Sequence, residues 1–296
     1  MADLRIIRVF PRRTNATPDD DMTIVGRGPS LFDIDRVDEV HVSVTFDWDI
    51  ELGEKLAEQW GQVAPTRIGG PAMKDFGGEF VPGLYLKQGY LITSCGCPNR
   101  CWFCRAWKTE GNQVRELEIK EGWNILDNNL LATSRMHQKA VFAMLSRQVH
   151  RPMFTGGFEA ARFTEWHVEQ LIKLKPQVFT FSYDEELDWE PLVSVAKMLQ
   201  DAGLAGKGVG HTCRVYVLVG YPHDSFEDAE QRLNQVCALH LMPMAMLYDK
   251  GRHLDESDRG KWITFQRQWA HPVLVGRKMA MVNKAEEKGE KSDKSE

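Results

Sequence analysis

Four of the six cysteines fall within one short segment: Cys95, Cys97, Cys101 and Cys104. The last three form a C-x3-C-x2-C spacing, close enough for three thiolates to meet one inorganic centre. A structural zinc site takes four protein ligands. A 4Fe–4S cluster that only carries electrons also takes four cysteines. A cluster gripped by three leaves one iron open, and that iron can bind a substrate or cofactor directly. Cys95 adds a fourth thiol, so the loop also reads C-x-C-x3-C-x2-C. That spacing suits a zinc knuckle or a closed cluster in a non-catalytic metal-binding interaction protein. A zinc knuckle pairs two C-x2-C hairpins, and only Cys101 with Cys104 forms one. Cys213 and Cys237 stand apart and read as small buried hydrophobes.

The chain of 296 residues has room for one large domain, or a small one beside a larger one. Apolar residues make up 43% and charged residues 27%, which excludes a wholly disordered chain. A net charge of −5 offers no global basic field, so there is no strong nucleic-acid signal. The opening MADLRIIRVFPRRTN lacks a signal-peptide core. No run approaches the ~18 apolar residues of a membrane span. These features predict a soluble cytoplasmic protein with no membrane partner, in a reducing compartment where clustered thiols bind metal.

The elements around the cysteines have two rhythms. Residues 1–80 hold a short apolar run at Ile6–Phe10 and a polar loop with Pro18 and Asp19–Asp21. An alternating strand follows over Glu39–Phe46, then a helix over Asp49–Trp60 and a second strand over Thr66–Pro71. Lys74–Gly83 is glycine-rich and reads as a linker. From Tyr85 the pattern is regular. Strands are expected at Tyr85–Ser94, Trp123–Asn128, Pro152–Gly157, Val178–Ser182, Cys213–Val219 and Pro243–Tyr248. Helices are expected at Ser134–Gln148, Thr164–Leu174, Glu190–Ala202 and Ser225–His240. Such alternation is the pattern of parallel βαβ units. Apolar residues on both sides of a strand, as at Val215, Val217, Leu218 and Val219, fit a sheet covered on both faces. An open sheet and a curved partial barrel give the same pattern. The charged tail 284–296 reads as disordered.

With the strand before it and the βα units after it, the loop Cys97-x3-Cys101-x-Phe103-Cys104 resembles the cluster motif of the radical SAM superfamily. The likeness covers roughly residues 85–250. Three further segments resemble its branch with an N-terminal cobalamin-binding-like domain: Asn124–Asn129, Phe154–Arg162, and Val215–Pro222 with Ser225–Asp228. The resemblance implies an α/β fold, a partial (β/α)6 TIM-type barrel preceded by a small α/β module. It implies a 4Fe–4S cluster on Cys97, Cys101 and Cys104 whose open iron chelates S-adenosylmethionine (SAM). One electron from a donor such as flavodoxin or ferredoxin would cleave SAM, and the resulting 5′-deoxyadenosyl radical would abstract hydrogen from an unknown substrate.

Carried over residue by residue, the resemblance puts Phe103 near the adenine. Asp127 and Asn128 would lie near the SAM amino or ribose groups, and Arg162 would face the SAM carboxylate. Ser182 and Asp184 would contact ribose, and Gly220 would let backbone approach the adenine. Read alone, Asp127 and Asn128 are turn residues, Arg162 a solvated charge, and Ser182 and Asp184 capping groups. The D-x-H-x-x-G motif of histidine-ligated cobalamin is missing around His41, so the small module reads as a shortened, degenerate form that binds no cobalamin through histidine. Met242, Met244 and Met246 alternate along a strand and read as core, with a pocket floor as the alternative. Residues 251–283, with Trp262, Phe265 and Trp269, are expected to close the open side of the barrel.

Overall fold

The run Ile6–Phe10 forms β1, the second strand of a four-stranded sheet, in a computed structural model that describes residues 5–33, 37–75, 78–206 and 212–280. The disordered tail expected at 284–296, residues 281–283 of the closing segment and residues 76–77 of the linker lie outside the described residues. The chain divides into two compact units, Met1–Ile125 and Leu126–Glu296.

In the first unit β1 (Ile6–Phe10) lies between β2 (Thr23–Val25) and β3 (Glu39–Ser43), and β4 (Thr66–Gly69) flanks β3. The order is β2-β1-β3-β4 and every pair is parallel. Helix α1 (Ile50–Gly61) carries the chain between β3 and β4, as a parallel connection requires. Its buried residues Gly53, Leu56 and Trp60 recur at helical spacing. Leu56 and Trp60 pack on Ile7, Val9, Val40, Val42 and Val44. Gly53 permits that approach, because a Cβ there would stand 2.5 Å from Val44 Cγ2. Trp60 is fully buried, and its Nε1 donates to the carbonyl of Arg27 at 3.2 Å. The three-residue β2 has no sequence signal of its own, since its pairing with β1 is a tertiary contact.

The rest of this unit has shorter strands than the expected Tyr85–Ser94 and Trp123–Asn128. β5 (Tyr90–Leu91) pairs in parallel with β8 (Asn124–Ile125). Gly89 is the reason: it adopts φ +88°, and the Trp123 ring fills the space where a Cβ would sit. Between these strands lie an antiparallel pair, β6 (Ser94–Cys95) with β7 (Arg115–Glu116), and the one-turn helix α2 (Ala106–Thr109).

The second unit alternates α3 (Arg135–Ser146), β9 (Met153–Phe154), α4 (Glu165–Leu174), β10 (Val178–Tyr183), α5 (Trp189–Asp201), β11 (Cys213–Val219), α6 (Phe226–Ala238), β12 (Met242–Leu247) and α7 (Glu256–Ala270). Caps fix the starts. The side chains of Ser134, Ser225 and Asp255 accept from His137, Asp228 and Asp258 backbone N–H groups. The four strands lie in chain order, β9-β10-β11-β12, all parallel. Phe179, Phe181 and Tyr183 line the face of β10 that meets the helices. Phe181 packs on Phe163, which stacks on His167 of α4, and Tyr183 packs on Trp189 of α5 and donates to Gln235 of α6. The opposite face is treated below. α7 packs against β12 as the helix following that strand, and Trp262 stacks on Phe226. Cys213 and Cys237 are buried, and burial pushes the Cys237 thiol up to about 12. Among the described residues no helix is long and apolar enough to cross a membrane.

Truncating Trp60 to Ala removes the largest side chain under the first sheet. It is expected to cost about 3–5 kcal/mol, read as a fall in the denaturant midpoint of the first unit's transition. An unchanged midpoint would show that this core does not hold the sheet.

Candidate functional site

The cysteine loop is fixed by its backbone. Gly96 stands at φ +84°, and a Cβ there would lie 2.2 Å from the Gln113 carbonyl oxygen. Cys97 N–H donates to the Gly111 carbonyl at 3.1 Å, and Cys104 N–H donates to that of Cys101 at 3.1 Å. Trp107 Nε1 donates to the Cys101 carbonyl at 3.0 Å, and Arg105 pairs with Asp47. Cys97 is buried, while Cys101 and Cys104 are half-buried. Phe103 is half-buried and meets the exposed Trp102 edge-on at 5.4 Å. Among the described residues no three His, Cys, Asp or Glu side chains converge as ligands of a single ion do. The cysteines of a four-iron cluster attach to separate irons and need no common point. Three thiols on one short, backbone-tethered loop therefore suit that cluster in donor type and number.

Cys95 takes a different position. It lies in β6 opposite Arg115, and of the four clustered cysteines it alone lines a cleft of about 600 Å³. His41, Ser43 and Gly69 also line that cleft, as does Tyr85, whose hydroxyl is 2.6 Å from His41 Nδ1. Burial, with the charge of Glu39, pushes the Tyr85 phenol up.

In the second unit the expected residues fall at loops and strand ends. Asp127 is buried and Asn128 half-buried. Gly156 has no room for a Cβ, which would meet the Asp127 carbonyl oxygen at 2.3 Å. Arg162 lies on a short 3-10 turn and is exposed, and its Nε donates to Glu159 at 2.6 Å. The same Glu159 oxygen accepts from Asn129 Nδ2 at 2.6 Å. Asn129 and Glu159 complete a network that sequence reasoning missed. Their polar side chains beside Asp127 and Arg162 were the available signal.

Gly220 has φ +67°, and the space beside its α-carbon holds Leu247 and Trp262. Packing and backbone conformation thus both demand glycine there. Its N–H donates to Asp224 at 2.7 Å. Asp224 is paired with Arg232 Nη2 at 2.9 Å, and Arg232 also donates to the Leu218 carbonyl. Burial raises the Asp224 carboxyl, against the Gly220 N–H and Arg232.

Asp184 follows β10 and accepts from Leu218 N–H at 2.9 Å. Burial, then the charge of Asp188, push it up to about 7, opposed by that N–H and the Ser182 hydroxyl. Ser182 is half-buried. It shares a face with Arg214 and Tyr216 of β11 and with the three methionines of β12, by register and alternation. Met242 is buried, Met244 half-buried and Met246 exposed, so this face is core at one end and open at the other. A charged residue inside the apolar run of β11 was the signal for Arg214.

Compared with known proteins, the chain matches no family model and no curated sequence.

Two outcomes follow. Gly96→Ala forces a strained φ and a clash with the Gln113 carbonyl, so it is expected to cost about 1–3 kcal/mol, read as a fall in the denaturant midpoint of the first unit's transition. An unchanged midpoint would show that the loop tolerates distortion. For Asp184, the unfolded carboxyl titrates near ~3.9. Between there and about 7 the folded chain holds a proton that the unfolded chain has lost. Stability attributable to this group therefore falls as pH rises through that window, by about 4 kcal/mol in full. Asp184→Asn keeps the acceptor for Leu218 N–H and is expected to flatten that slope. Denaturant midpoints at pH 4.5 and 7.5 check it, and identical slopes in both proteins would refute it.

Proposed function

We propose that this chain is a radical SAM enzyme. The observation that carries the proposal is the loop of Cys97, Cys101, Phe103 and Cys104, with its spacing, placed directly after β6 and ahead of repeated βα units. The order β9-β10-β11-β12 supports a partial barrel. A sheet that winds steadily one way keeps chain order and sets its crossover helices on one side, whereas a doubly wound sheet reverses order at a switch point.

In this reading Cys97, Cys101 and Cys104 hold a 4Fe–4S cluster through three irons. Bound there, the cluster supplies the electron for reductive cleavage of SAM, and a reduced flavodoxin or ferredoxin supplies it in turn. The chain's own residues bind and orient. Phe103 offers an aromatic surface beside the loop. Asp127 and Asn128 present hydrogen-bonding groups at the end of the second strand of the repeat. Arg162, oriented by Glu159, presents a guanidinium to a carboxylate. Ser182 and Asp184 stand at the end of β10, where folds of this kind place ligands. Asp184, with its carboxyl near neutrality, can donate as well as accept a hydrogen bond. Cys95 is left to the cleft, outside the cluster. His41 is engaged by Tyr85 and lies near Glu39, which supports a module without histidine-ligated cobalamin.

Anaerobic reconstitution tests this. Wild type and Cys95→Ala are expected to bind about four irons per chain and to form 5′-deoxyadenosine with dithionite and SAM. Cys101→Ala is expected to lose both. Stoichiometric zinc with no SAM turnover, or loss of the cluster in Cys95→Ala, would replace the enzyme by a four-cysteine metal-binding protein.

A further inference from the structure

We propose that Arg214 anchors the anionic group of the substrate, a carboxylate or phosphate borne on an otherwise apolar body, at the sheet face it shares with Tyr216 and Met244. This rests on the enzyme reading above and adds the class of its substrate.

The argument starts from register. Thr180 pairs with Arg214 and Arg214 with Met242, while Ser182 pairs with Tyr216 and Tyr216 with Met244. These side chains alternate with Phe179, Phe181, Val215 and Val217, which are buried on the face that meets the helices. Arg214 is the only formal charge on its face of the four strands β9–β12. It makes no ion pair and no hydrogen bond with any described residue, and its Nε is buried without a partner. A guanidinium cannot escape this by losing its proton. Arg214 is half-buried, and a buried N–H left without an acceptor opposes folding, so the enclosed Nε calls for a partner that the described residues do not supply.

Arg232 shows how the same fold treats a cation it uses for itself. Both Asp224 oxygens and the Leu218 carbonyl accept from it. Among the described residues Arg214 has no such arrangement, and its planar fork matches the two oxygens of a carboxylate or phosphate. The surroundings fit a small anion with an apolar body. Tyr216 brings a phenol two residues along, and Met244 with Met246 brings adaptable apolar walls. Met246 is 47% exposed, so the face is open to entry at that end.

The test uses the full-length, cluster-free protein, with thermal unfolding titrated separately with inorganic phosphate and with butyrate at constant ionic strength. At least one anion is expected to raise Tm saturably, and the arm that saturates names the group. Arg214→Gln should raise the half-saturating concentration about tenfold to hundredfold, as expected for lost charge-assisted hydrogen bonds. Arg214→Met should melt no lower than wild type in anion-free buffer, because it removes a half-buried cation whose Nε has no partner among the described residues. Four results would overturn the proposal: no saturable shift with either anion, an unchanged half-saturation in Arg214→Gln, a lower anion-free Tm in Arg214→Met, or loss of equilibrium SAM binding in Arg214→Gln, which would make Arg214 a cofactor anchor. The titration needs no cluster, so zinc in the cysteine loop would sink the enzyme reading and leave the anion result standing. Failure of the titration has no bearing on 5′-deoxyadenosine formation by wild type.

Discussion

A parallel strand cannot reach its neighbour through a hairpin. The chain must leave the sheet, cross over it and return to the same end. Much of the second unit's organisation follows from that constraint. Each of β9–β12 is reached after a helix, and the strands stack in chain order. Phe179, Phe181, Val215 and Val217 form the buried layer against the helices, and the alternate residues grade from buried Met242 to exposed Met246. The first unit obeys the same rule with a different path. Its chain places β2 on one side of β1 and β3 with β4 on the other, so the order is not sequential.

Desolvation decides the behaviour of the polar groups held at the strand ends. Asp224 has a cation and a backbone donor and is still raised, so burial outweighs its partners there. Asp184 has Asp188 as a like-charged neighbour, and burial together with that charge raises it to about 7. His167 is the counterpart on the basic side. Burial and the nearby Arg135 hold it down to about 4, so it stays neutral and serves as an acceptor for the Thr164 backbone N–H at the start of α4. His167 stacks on Phe163, which belongs to a hydrophobic layer with Phe158 and Phe181.

The cysteine loop is tethered by a glycine at positive φ, two backbone bonds from Cys97 and Cys104, and the Trp107 indole on the Cys101 carbonyl. Cys95 lies in β6 opposite Arg115, a pairing that no count of thiols reveals.

The amino-acid order alone determined most of the local elements and the spacing of the clustered cysteines. Cys213–Val219 was readable in full, and the helix starts at Ser134, Thr164 and Ser225 lay where expected, because these signals are carried by residues close in the chain. The spacing of Cys97, Cys101 and Cys104 was readable for the same reason. Only the tertiary structure decided what depends on distant partners. It shortened the strands around Gly89 and Trp123, recruited Thr23–Val25 beside β1, and filled the space beside Gly220 with Trp262. It paired Asp224 with Arg232 and left Arg214 without a partner among the described residues. Alternation tells which residues share a face, but not what that face meets. Burial is a property of the assembled sheet, and the charges that burial perturbs were legible as residues but not as a site.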